Sequence, residues 1–339
     1  MITTVILMIS VYLVSILLTG LIRRYALKHA VIDEPNHRSS HTTPTPRGGG
    51  LSISLAFILC AIILPALDLL PANYGVALAG GGLAVALVGW IDDHRQVPQI
   101  WRSIVYLAAA CWALYWLGGL GRITVGSRII ELHYFGNIIA ILVIVWLTIL
   151  YNFMDGADGL AGLQAVCTSM PCAYMFWQNN QPGLAICCVV LACACMGFLF
   201  WNWPPARIFM GDVGSCLIGY SLAVLAVTGE KAGGMPLAVW IILLAPFICD
   251  ATLTLFRRIY HREPLHLAHR NHAYQRLLQL GMDHRQLVLT MLAVDVLVLW
   301  PLAFAAEYME KFNLYIVLSV LIIISMIWFL VQNRYAKHG

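Results

Sequence analysis

The sequence predicts an all-α polytopic membrane protein with about 11 transmembrane helices. Three observations predict this class. Apolar residues make up 61% of the 339 positions and charged residues only 11%, whereas soluble domains carry about 25% charged residues. The mean hydropathy is +0.81. Apolar runs of about 20 residues, the length that crosses a bilayer as a helix, recur along the whole chain.

The predicted spans follow these apolar runs in order. They lie near 2–22, 48–70, 75–91, 101–118, 136–152, 158–178, 183–201, 212–228, 235–256, 286–306 and 312–333. No Ala-x-Ala-like cleavage site follows the first run, so we expect it to be retained as a span. The sequence shows no repeat of fixed period and no soluble domain. We therefore expect one integral membrane domain over residues 1–339.

The basic residues predict the orientation of the helices. With eleven spans, one side of the membrane holds the connections near 23–47, 92–100, 152–157, 202–211 and 257–285, together with the C-terminus. With Arg102 at the edge of a span included, that side carries 16 of the 20 Lys and Arg residues. Positive charge marks the cytoplasmic face, so we expect the N-terminus outside and the C-terminus in the cytoplasm. The net charge of +4 then reflects topology and gives no reason to expect nucleic acid.

Acidic residues are concentrated at three of the predicted cytoplasmic turns. A carboxylate stranded in lipid costs several kcal/mol, so acids at span ends need an explanation. The acids are Asp92, Asp93, Asp155, Asp158 and Asp212, and the amide of Asn152 accompanies them. A transporter more often places such groups near the midplane of the bilayer. Their convergence on one face predicts a site at the boundary between water and lipid.

The residue types at these turns favour magnesium and phosphate chemistry. Oxygen ligands without thiols suit Mg²⁺, which typically takes one or two carboxylates plus substrate phosphates; Mn²⁺ is the alternative. Interleaved glycines, such as Gly156 and Gly211, let the backbone approach an anionic ligand. Asp212 opens a predicted span, and a helix N-terminus favours phosphate.

Basic segments lie on the same predicted face. One contains Arg38, His41 and Arg47, and the other is the loop 257–285 with its His and Arg residues. Arginine suits bidentate contact with phosphate. Arg257 and Arg258 are better explained by contact with anionic lipid. A zinc site of His266, His269 and His272 is an alternative, although no Cys or nearby acid completes it.

Taken together, these motifs resemble one enzyme family. The segments are Asp-Glu-Pro-Asn-His-Arg at 33–38, Pro-Thr-Pro-Arg-Gly-Gly at 44–49, the pair Asp92 and Asp93, Asn-Phe-Met-Asp-Gly-Ala-Asp-Gly-Leu-Ala-Gly at 152–162, Phe-Met-Gly-Asp-Val-Gly-Ser at 209–215, and His-Arg-Asn-His-Ala-Tyr-Gln-Arg at 269–276. In that order they resemble the polyprenyl-phosphate N-acetylhexosamine-1-phosphate transferases. The segment at 44–49 resembles the enzymes that start O-antigen, enterobacterial common antigen or teichoic acid chains, and the segment at 269–276 is most similar to the O-antigen-initiating branch.

The resemblance implies a role for each matching residue. Asn152 and Asp212 match the positions that hold Mg²⁺, and Asp92 and Asp93 match the catalytic pair that binds or deprotonates the lipid phosphate. The substrate-binding positions implied are Asp155, Asp158, Asn202, Phe209, His269, Arg270, His272, Arg38, His41 and Arg47. Among them, Phe209 and Asn202 match the uracil pocket, and the 269–272 residues match the loop that neutralises the diphosphate.

The implied activity is transfer of a sugar 1-phosphate from a UDP-N-acetylhexosamine to undecaprenyl phosphate at the bacterial inner membrane, with release of UMP. It would start O-antigen, lipopolysaccharide or related cell-envelope glycans. We expect direct displacement, with a covalent aspartyl-phosphate route as its rival. The resemblance is also compatible with a homodimer.

Two other function classes remain as alternatives. An ion-coupled transporter would account for Asp250 and Asp295 inside predicted spans, and a lipid phosphatase would need no nucleotide pocket. The identity of the sugar and the choice of base stay open.

Overall fold

The computed structural model describes residues 2–35, 43–264 and 269–338 as a bundle of helices. The helices are α1 (Ile2–Lys28), α2 (Leu51–Ala66), α3 (Ala72–His94), α4 (Gln99–Leu117), α5 (His133–Phe153), α6 (Leu160–Gln178), α7 (Pro182–Asn202), α8 (Asp212–Lys231), α9 (Leu237–Leu243), α10 (Ala245–Tyr260), α11 (Ala273–Gln279), α12 (His284–Val294), α13 (Trp300–Tyr308) and α14 (Asn313–His338). Two short antiparallel pairs join β1 (Ile32–Asp33) to β2 (Thr45–Pro46) and β3 (Arg122–Val125) to β4 (Arg128–Glu131). The predicted all-α membrane class is confirmed.

Every predicted span contains helix, but not every helix is long and apolar enough to be a span. Among the described residues, eight helices meet that test when α12 and α13 are taken as one span, His284–Tyr308. The bent pair α9–α10 adds a ninth if it is counted as one span. Two of the eleven predicted spans do not meet the test: α2, which has 16 residues, and α6. A helix of 16 residues is shorter than the roughly 20 that cross a bilayer core, and α6 carries Gln164, Thr168 and Ser169 in its interior.

Helix α8 forms the centre of the bundle. Almost all of its residues from Val213 to Glu230 are buried, and it packs against α2, α3 and α5. Small residues allow this close packing. A Cβ atom added at Gly214 would lie 2.6 Å from the Cα of Gly50, so α2 and α8 meet backbone to backbone. The N-terminus of α8 is therefore fixed in place by its neighbours.

The predicted span 235–256 is a broken helix instead of a continuous one. Helices α9 and α10 meet at Leu244 with a bend of 75°. Pro246 lies in the first turn of α10; it has no N–H and its ring clashes with the carbonyl four residues earlier. The side chain of Gln164 donates to the carbonyl of Leu243 at 2.8 Å, which satisfies one of the backbone groups freed by the break.

The predicted span 286–306 is also interrupted. A π-helical segment, Asp295–Leu299, separates α12 from α13. Asp295 is buried there, and its Oδ1 atom accepts a hydrogen bond from Gln164 Nε2 on α6 at 3.3 Å. Asp295 therefore pairs with a residue of a neighbouring helix.

The connection between α4 and α5 contains an antiparallel hairpin formed by β3 and β4. Two side chains from other elements hold it. Glu230 Oε1 accepts from the N–H of Thr124 at 2.6 Å, and Asn313 Oδ1 accepts from the N–H of Gly126 at 2.8 Å. This hairpin lies at the C-terminal end of α8, at the opposite end of that helix from Asp212.

Candidate active site

The N-terminus of α8 is capped by a carboxylate from another helix. Asp93 lies in the last turn of α3, and its two carboxylate oxygens accept from the N–H groups of Asp212 at 3.0 Å and Val213 at 3.2 Å. The side chain is only 1% exposed. An anion is stabilised at this position because the first N–H groups of a helix lack intrahelical partners. Asp93 thus joins α3 to α8.

Arg47 fastens the same junction from the loop before α2. Its guanidinium donates to the carbonyls of Asp93 and Asp92, each at 2.8 Å, and lies 3.7 Å from the Asp93 carboxylate. Carbonyls at a helix C-terminus lack intrahelical donors, so a cation there is favourable. Arg47 therefore contacts the acidic pair through its backbone as well as its charge.

Asp92 and Asp212 face each other across the guanidinium of Arg102. The Nη1 atom of Arg102 lies 3.0 Å from Asp92 Oδ2, and its Nη2 atom lies 2.6 Å from Asp212 Oδ2. Asn152, in the last turn of α5, donates from Nδ2 to Asp212 Oδ1 at 2.9 Å. Four side chains from α3, α4, α5 and α8 thus form one polar network.

This network lies on the wall of a cavity of about 550 Å³. Asp92, Arg102 and Asn152 line one part of it, while Asp93 and Asp212 lie just behind them and are not among its lining residues. Basic residues from three segments also line the cavity, and α5 and α10 supply an apolar wall. The basic residues are Arg47, Arg258, His269 and His272, and the apolar ones are Ile149, Phe153, Ala251 and Leu255. The cavity can therefore hold an anion beside an apolar chain.

His269 and His272 enter the cavity from the loop before α11. Their rings are 5.0 Å apart. Burial lowers the pKa of His269 to about 4, with further lowering by the neighbouring His272 and Arg258. His269 is therefore neutral at pH 7 in the free protein, so it offers a hydrogen bond instead of a charge. Arg270 lies between the two, and its carbonyl accepts from Gln279 Nε2 at 3.2 Å.

Arg258 does not lie on the lipid surface as its sequence position suggested. Its side chain is 5% exposed and lines the cavity. The Nε atom is 3.2 Å from Glu263 Oε2.

A second pocket, of about 440 Å³, contains Asp158 and Phe209. Asp158 Oδ2 accepts from the N–H of Ala206 at 2.9 Å, and Asp158 Oδ1 lies 3.3 Å from His284 Nδ1. The backbone of Phe209 pairs with the segment 46–49, donating to the carbonyl of Pro46 at 2.8 Å. Residues Asp283 to Arg285, at the start of α12, complete the walls.

Asn202 lies beneath these loops and is buried. Its Oδ1 atom accepts from the N–H of Gly159 at 2.8 Å, and its Nδ2 atom donates to the carbonyl of Ile208 at 2.9 Å. Both ends of the amide are used to join two loops. The structure therefore places Asn202 behind the pocket that it was expected to line.

Asp155 lies in the loop between α5 and α6, near the other acids. Burial raises the pKa of its carboxyl group well above the ordinary value, and the charges of Asp212, Asp93 and Asp158 raise it further. The remaining two predicted residues, Arg38 and His41, lie outside the described residues. His266, named for the zinc alternative, does as well.

Comparison with known proteins identifies the family. Residues 76–230 match the profile of glycosyl transferase family 4. A decaprenyl-phosphate N-acetylglucosaminephosphotransferase from Mycolicibacterium smegmatis is 31% identical over 80% of this chain and 74% of its own length. The chain belongs to glycosyl transferase family 4. It is a member of the polyprenyl-phosphate hexosamine-1-phosphate transferases in that family.

Other relatives in the family cover similar shares of the chain. A probable undecaprenyl-phosphate N-acetylglucosaminyl 1-phosphate transferase from Bacillus subtilis is 28% identical over 85% of this chain and 81% of its own length. An undecaprenyl-phosphate alpha-N-acetylglucosaminyl 1-phosphate transferase from Escherichia coli K12 is 27% identical over 89% of this chain and 83% of its own length. The chain is therefore a multi-pass membrane enzyme of the glycosyl-1-phosphate transferase class.

The donor set in the cavity fits the magnesium ion that the family resemblance implies. Asn152 offers an amide oxygen and Asp212 a carboxylate, and a hydrogen bond from Asn152 Nδ2 to Asp212 Oδ1 holds the two side chains together. Asp92 lies on the other side of Arg102. These are hard oxygen ligands, and Mg²⁺ needs only one or two carboxylates when substrate phosphates complete its shell. Asn152 and Asp212 are the residues that would hold it.

Arg102 is a residue of the site that the sequence motifs did not indicate. In the sequence it had counted only toward the charge on the cytoplasmic side. A usable signal was present, because a charged residue in the first turn of an apolar span is expensive unless it has a partner. Asp92, ten positions earlier, is that partner.

Proposed function

We propose that this enzyme transfers an N-acetylhexosamine 1-phosphate from a UDP-sugar to undecaprenyl phosphate and releases UMP. The observation that carries the proposal is the cavity that Asp92, Arg102 and Asn152 share with further basic residues and an apolar wall. Two polyanions have to meet in this reaction, so positive groups must neutralise them. An apolar wall beside the anion site suits a lipid phosphate.

In the proposed reaction, an oxygen of the lipid phosphate attacks the β-phosphorus of the UDP-sugar. A new P–O bond forms there, and the bond from the β-phosphorus to the bridging oxygen of UMP breaks. Mg²⁺, when bound, would neutralise charge on the pyrophosphate. Arg102 and Arg258 would position the phosphates through charge-assisted hydrogen bonds. The lipid phosphate needs to lose only a proton with a pKa near 6.

The position of Asp92 favours it over Asp93 as the residue that meets the lipid phosphate. Asp92 lines the cavity, whereas both oxygens of Asp93 accept N–H groups at the start of α8. We propose that Asp92 contacts the acceptor and that Asp93 orients α8. The direct route stays preferred to a covalent one, and a trapped acyl phosphate on either residue would contradict it.

We assign the nucleotide to the pocket that contains Asp158 and Phe209. An aromatic face suits stacking of a nucleobase, and Pro204, Pro205 and Ala206 line the same pocket. Further, we propose that the product starts an O-antigen, lipopolysaccharide or related envelope glycan at the bacterial inner membrane, with the site facing the cytoplasm. The family relatives are named for N-acetylglucosamine, but the sugar of this chain is left to experiment.

Release of UMP by the purified protein tests the proposal. The assay supplies undecaprenyl phosphate, Mg²⁺ and a panel of UDP-N-acetylhexosamines. Lipid-dependent UMP from one sugar, abolished by EDTA, would support the reaction and identify the donor. Asp212→Asn should lower the rate by about 100- to 1,000-fold, because it removes a charge placed for the transition state. The control Ser215→Ala should change it less than about 10-fold, since Ser215 is uncharged and makes only neutral hydrogen bonds, accepting from Asn152 and donating to the carbonyl of Gly211, each at 3.1 Å.

Absence of UMP with every sugar, from protein that is folded and lipid-supplied, would contradict the proposal. Movement of a labelled solute across sealed vesicles without release of UMP would instead favour the transporter alternative.

A further inference from the structure

Asp250 is a buried carboxylate that binds four hydrogen-bond donors. It lies in α10, and its side chain is 8% exposed. Its Oδ1 atom accepts from the N–H of Ala273 at 2.7 Å, and its Oδ2 atom accepts from the N–H of Tyr274 at 3.2 Å. Trp328 Nε1 and Thr254 Oγ1 each donate to Oδ1 at 3.2 Å.

These partners come from three separate elements. Thr254 is one turn away on α10 itself, Trp328 lies on α14, and the two N–H groups are the first of α11. His272, the residue that precedes α11, places its Nδ1 atom 3.5 Å from Asp250 Oδ1. A buried carboxylate is tolerated only when it is well hydrogen-bonded. Here the hydrogen bonds connect the tilted helix α10 to the start of α11.

The start of α11 carries residues of the reaction cavity. His272 and Gln275 line it, and His269 lies against His272. Tyr274 donates from its hydroxyl to the carbonyl of Phe153 at 3.0 Å, and Phe153 follows Asn152 in the chain. A shift of α11 would therefore move the two histidines and release the end of α5 that presents Asn152.

We propose that Asp250 is a positioning residue for the transfer reaction, which acts by holding His272 and the start of α11 against the cavity. The proposal rests on the proposed function for its kinetic consequence, although its structural part does not. Asp250 plays the same part for α11 that Asp93 plays for α8. In both cases a carboxylate on one helix binds the first two N–H groups of another.

Two substitutions separate the hydrogen bonds from the charge. Asp250→Asn keeps the shape and leaves one acceptor oxygen. Ala273→Pro removes only the N–H that donates to Asp250 Oδ1, and proline is well tolerated at the first position of a helix. The preceding residue suits it, because His272 has φ −62° and ψ 147°, an extended conformation that a following proline favours. Asp295→Asn is the matched control, since Asp295 is another buried acid in a helical segment away from α11.

Hydrogen exchange at the amide of Tyr274 tests the structural part. We expect exchange at least about 10-fold faster in Asp250→Asn and in Ala273→Pro than in the wild type, because local opening exposes that amide. Asp295→Asn should leave it unchanged. Unaltered exchange in both α11 variants would overturn the proposal, and this result does not depend on any catalytic assay.

A double-mutant cycle with His272→Gln tests the functional part. Asp250→Asn should lower kcat/KM by about 10- to 100-fold in the wild-type background, the range expected for hydrogen bonds to a charged group. In the His272→Gln background the same change should cost at least about threefold less, because the part of its effect that passes through His272 is already lost. Asp295→Asn should cost the same factor in both backgrounds. Additive effects of Asp250→Asn and His272→Gln would show that Asp250 does not act through His272 and would overturn the proposal.

Calorimetry of UDP binding to the wild type, Asp250→Asn, His272→Gln and the double variant measures the same coupling without turnover. Protein that binds UDP with the predicted coupling yet releases no UMP would leave Asp250 as the positioning residue and contradict the proposed function alone.

Discussion

Arg102 brings together groups that are far apart in the sequence. Its guanidinium lies 3.0 Å from Asp92 and 2.6 Å from Asp212, and its Nη2 atom is 3.4 Å from Asn152 Oδ1. A planar guanidinium has five N–H donors in a fixed arrangement, so it can reach three partners at once. An ammonium group is a compact point charge and cannot reproduce that geometry.

Arg102→Lys should therefore lower kcat/KM by about 10- to 100-fold even though the charge is kept. The reason is loss of simultaneous contact with Asp92 and Asp212. UMP release at several UDP-sugar concentrations measures it. Arg95→Lys is the control, because Arg95 is exposed beyond the end of α3, and it should behave like the wild type. Equal rates for Arg102→Lys and the wild type would contradict the role given to the guanidinium.

The raised pKa of Asp155 predicts a stability gain from its neutral analogue. Between the ordinary pKa near 3.9 and the raised value, the folded protein holds a proton that the unfolded chain has released. Stability therefore falls as the pH rises through this window. Asp155→Asn is neutral at every pH, so its Tm should exceed that of the wild type at pH 8, by about 2 °C or more, and the difference should shrink toward pH 4.

Thermal unfolding in detergent with EDTA measures this difference. Asp158→Asn serves as the contrast three residues away. Asp158 accepts from the N–H of Ala206 and contacts His284, so its substitution should lower Tm. A Tm for Asp155→Asn below that of the wild type at pH 8 would refute the assigned cause of the pKa shift.

At the scale of helices, the junction of α3 and α8 depends on glycine. A Cβ atom added at Gly89 would lie 2.6 Å from the backbone carbonyl of Asp212. At Gly211, where φ is +76°, it would lie 2.4 Å from a carboxylate oxygen of Asp93. The absence of side chains at these two positions lets the end of α3 reach the first N–H groups of α8.

Gly89→Ala should consequently push the two helix ends apart. Overpacking costs about 1–3 kcal/mol, and a displacement of about 1 Å at a reactive site can cost about 100-fold in rate. Gly82→Ala is the same change on the same helix, but its nearest neighbour is the flexible end of Leu217 at 3.1 Å. We expect lower Tm and slower UMP release for Gly89→Ala only. Wild-type values for both variants would show that the junction tolerates separation.

The elements of the bundle were more predictable than their contacts. Apolar run length located helix in every predicted span, because a bilayer imposes one length on its spans. It did not predict the break at Leu244, where the continuity of the apolar run concealed the effect of Pro246. The motifs indicated that Asp93 and Asn202 belong near the site. They did not indicate that both side chains would hydrogen-bond to backbone groups, because those groups lie in segments distant in sequence.

For the molecule as a whole, the structure gathers the basic and acidic turns at one end and the β3–β4 hairpin near the other end of α8. The charge asymmetry predicts that the first end is cytoplasmic. A UDP-sugar donor requires the same orientation, because nucleotide sugars are made in the cytoplasm. The charge distribution and the proposed reaction therefore predict the same orientation, with the site facing the cytoplasm.

Single cysteines on the two ends test that prediction in intact cells. Arg128→Cys places a thiol on the exposed hairpin, and Arg95→Cys places one on the exposed turn after α3. A membrane-impermeant maleimide should label Arg128→Cys in intact cells, and Arg95→Cys only after permeabilisation. The wild type supplies the background, since Cys111 is exposed on α4 and we expect it to face lipid. Labelling of Arg95→Cys from outside would invert the topology and separate the cavity from the cytoplasmic UDP-sugar, so the proposed reaction would then lack its donor.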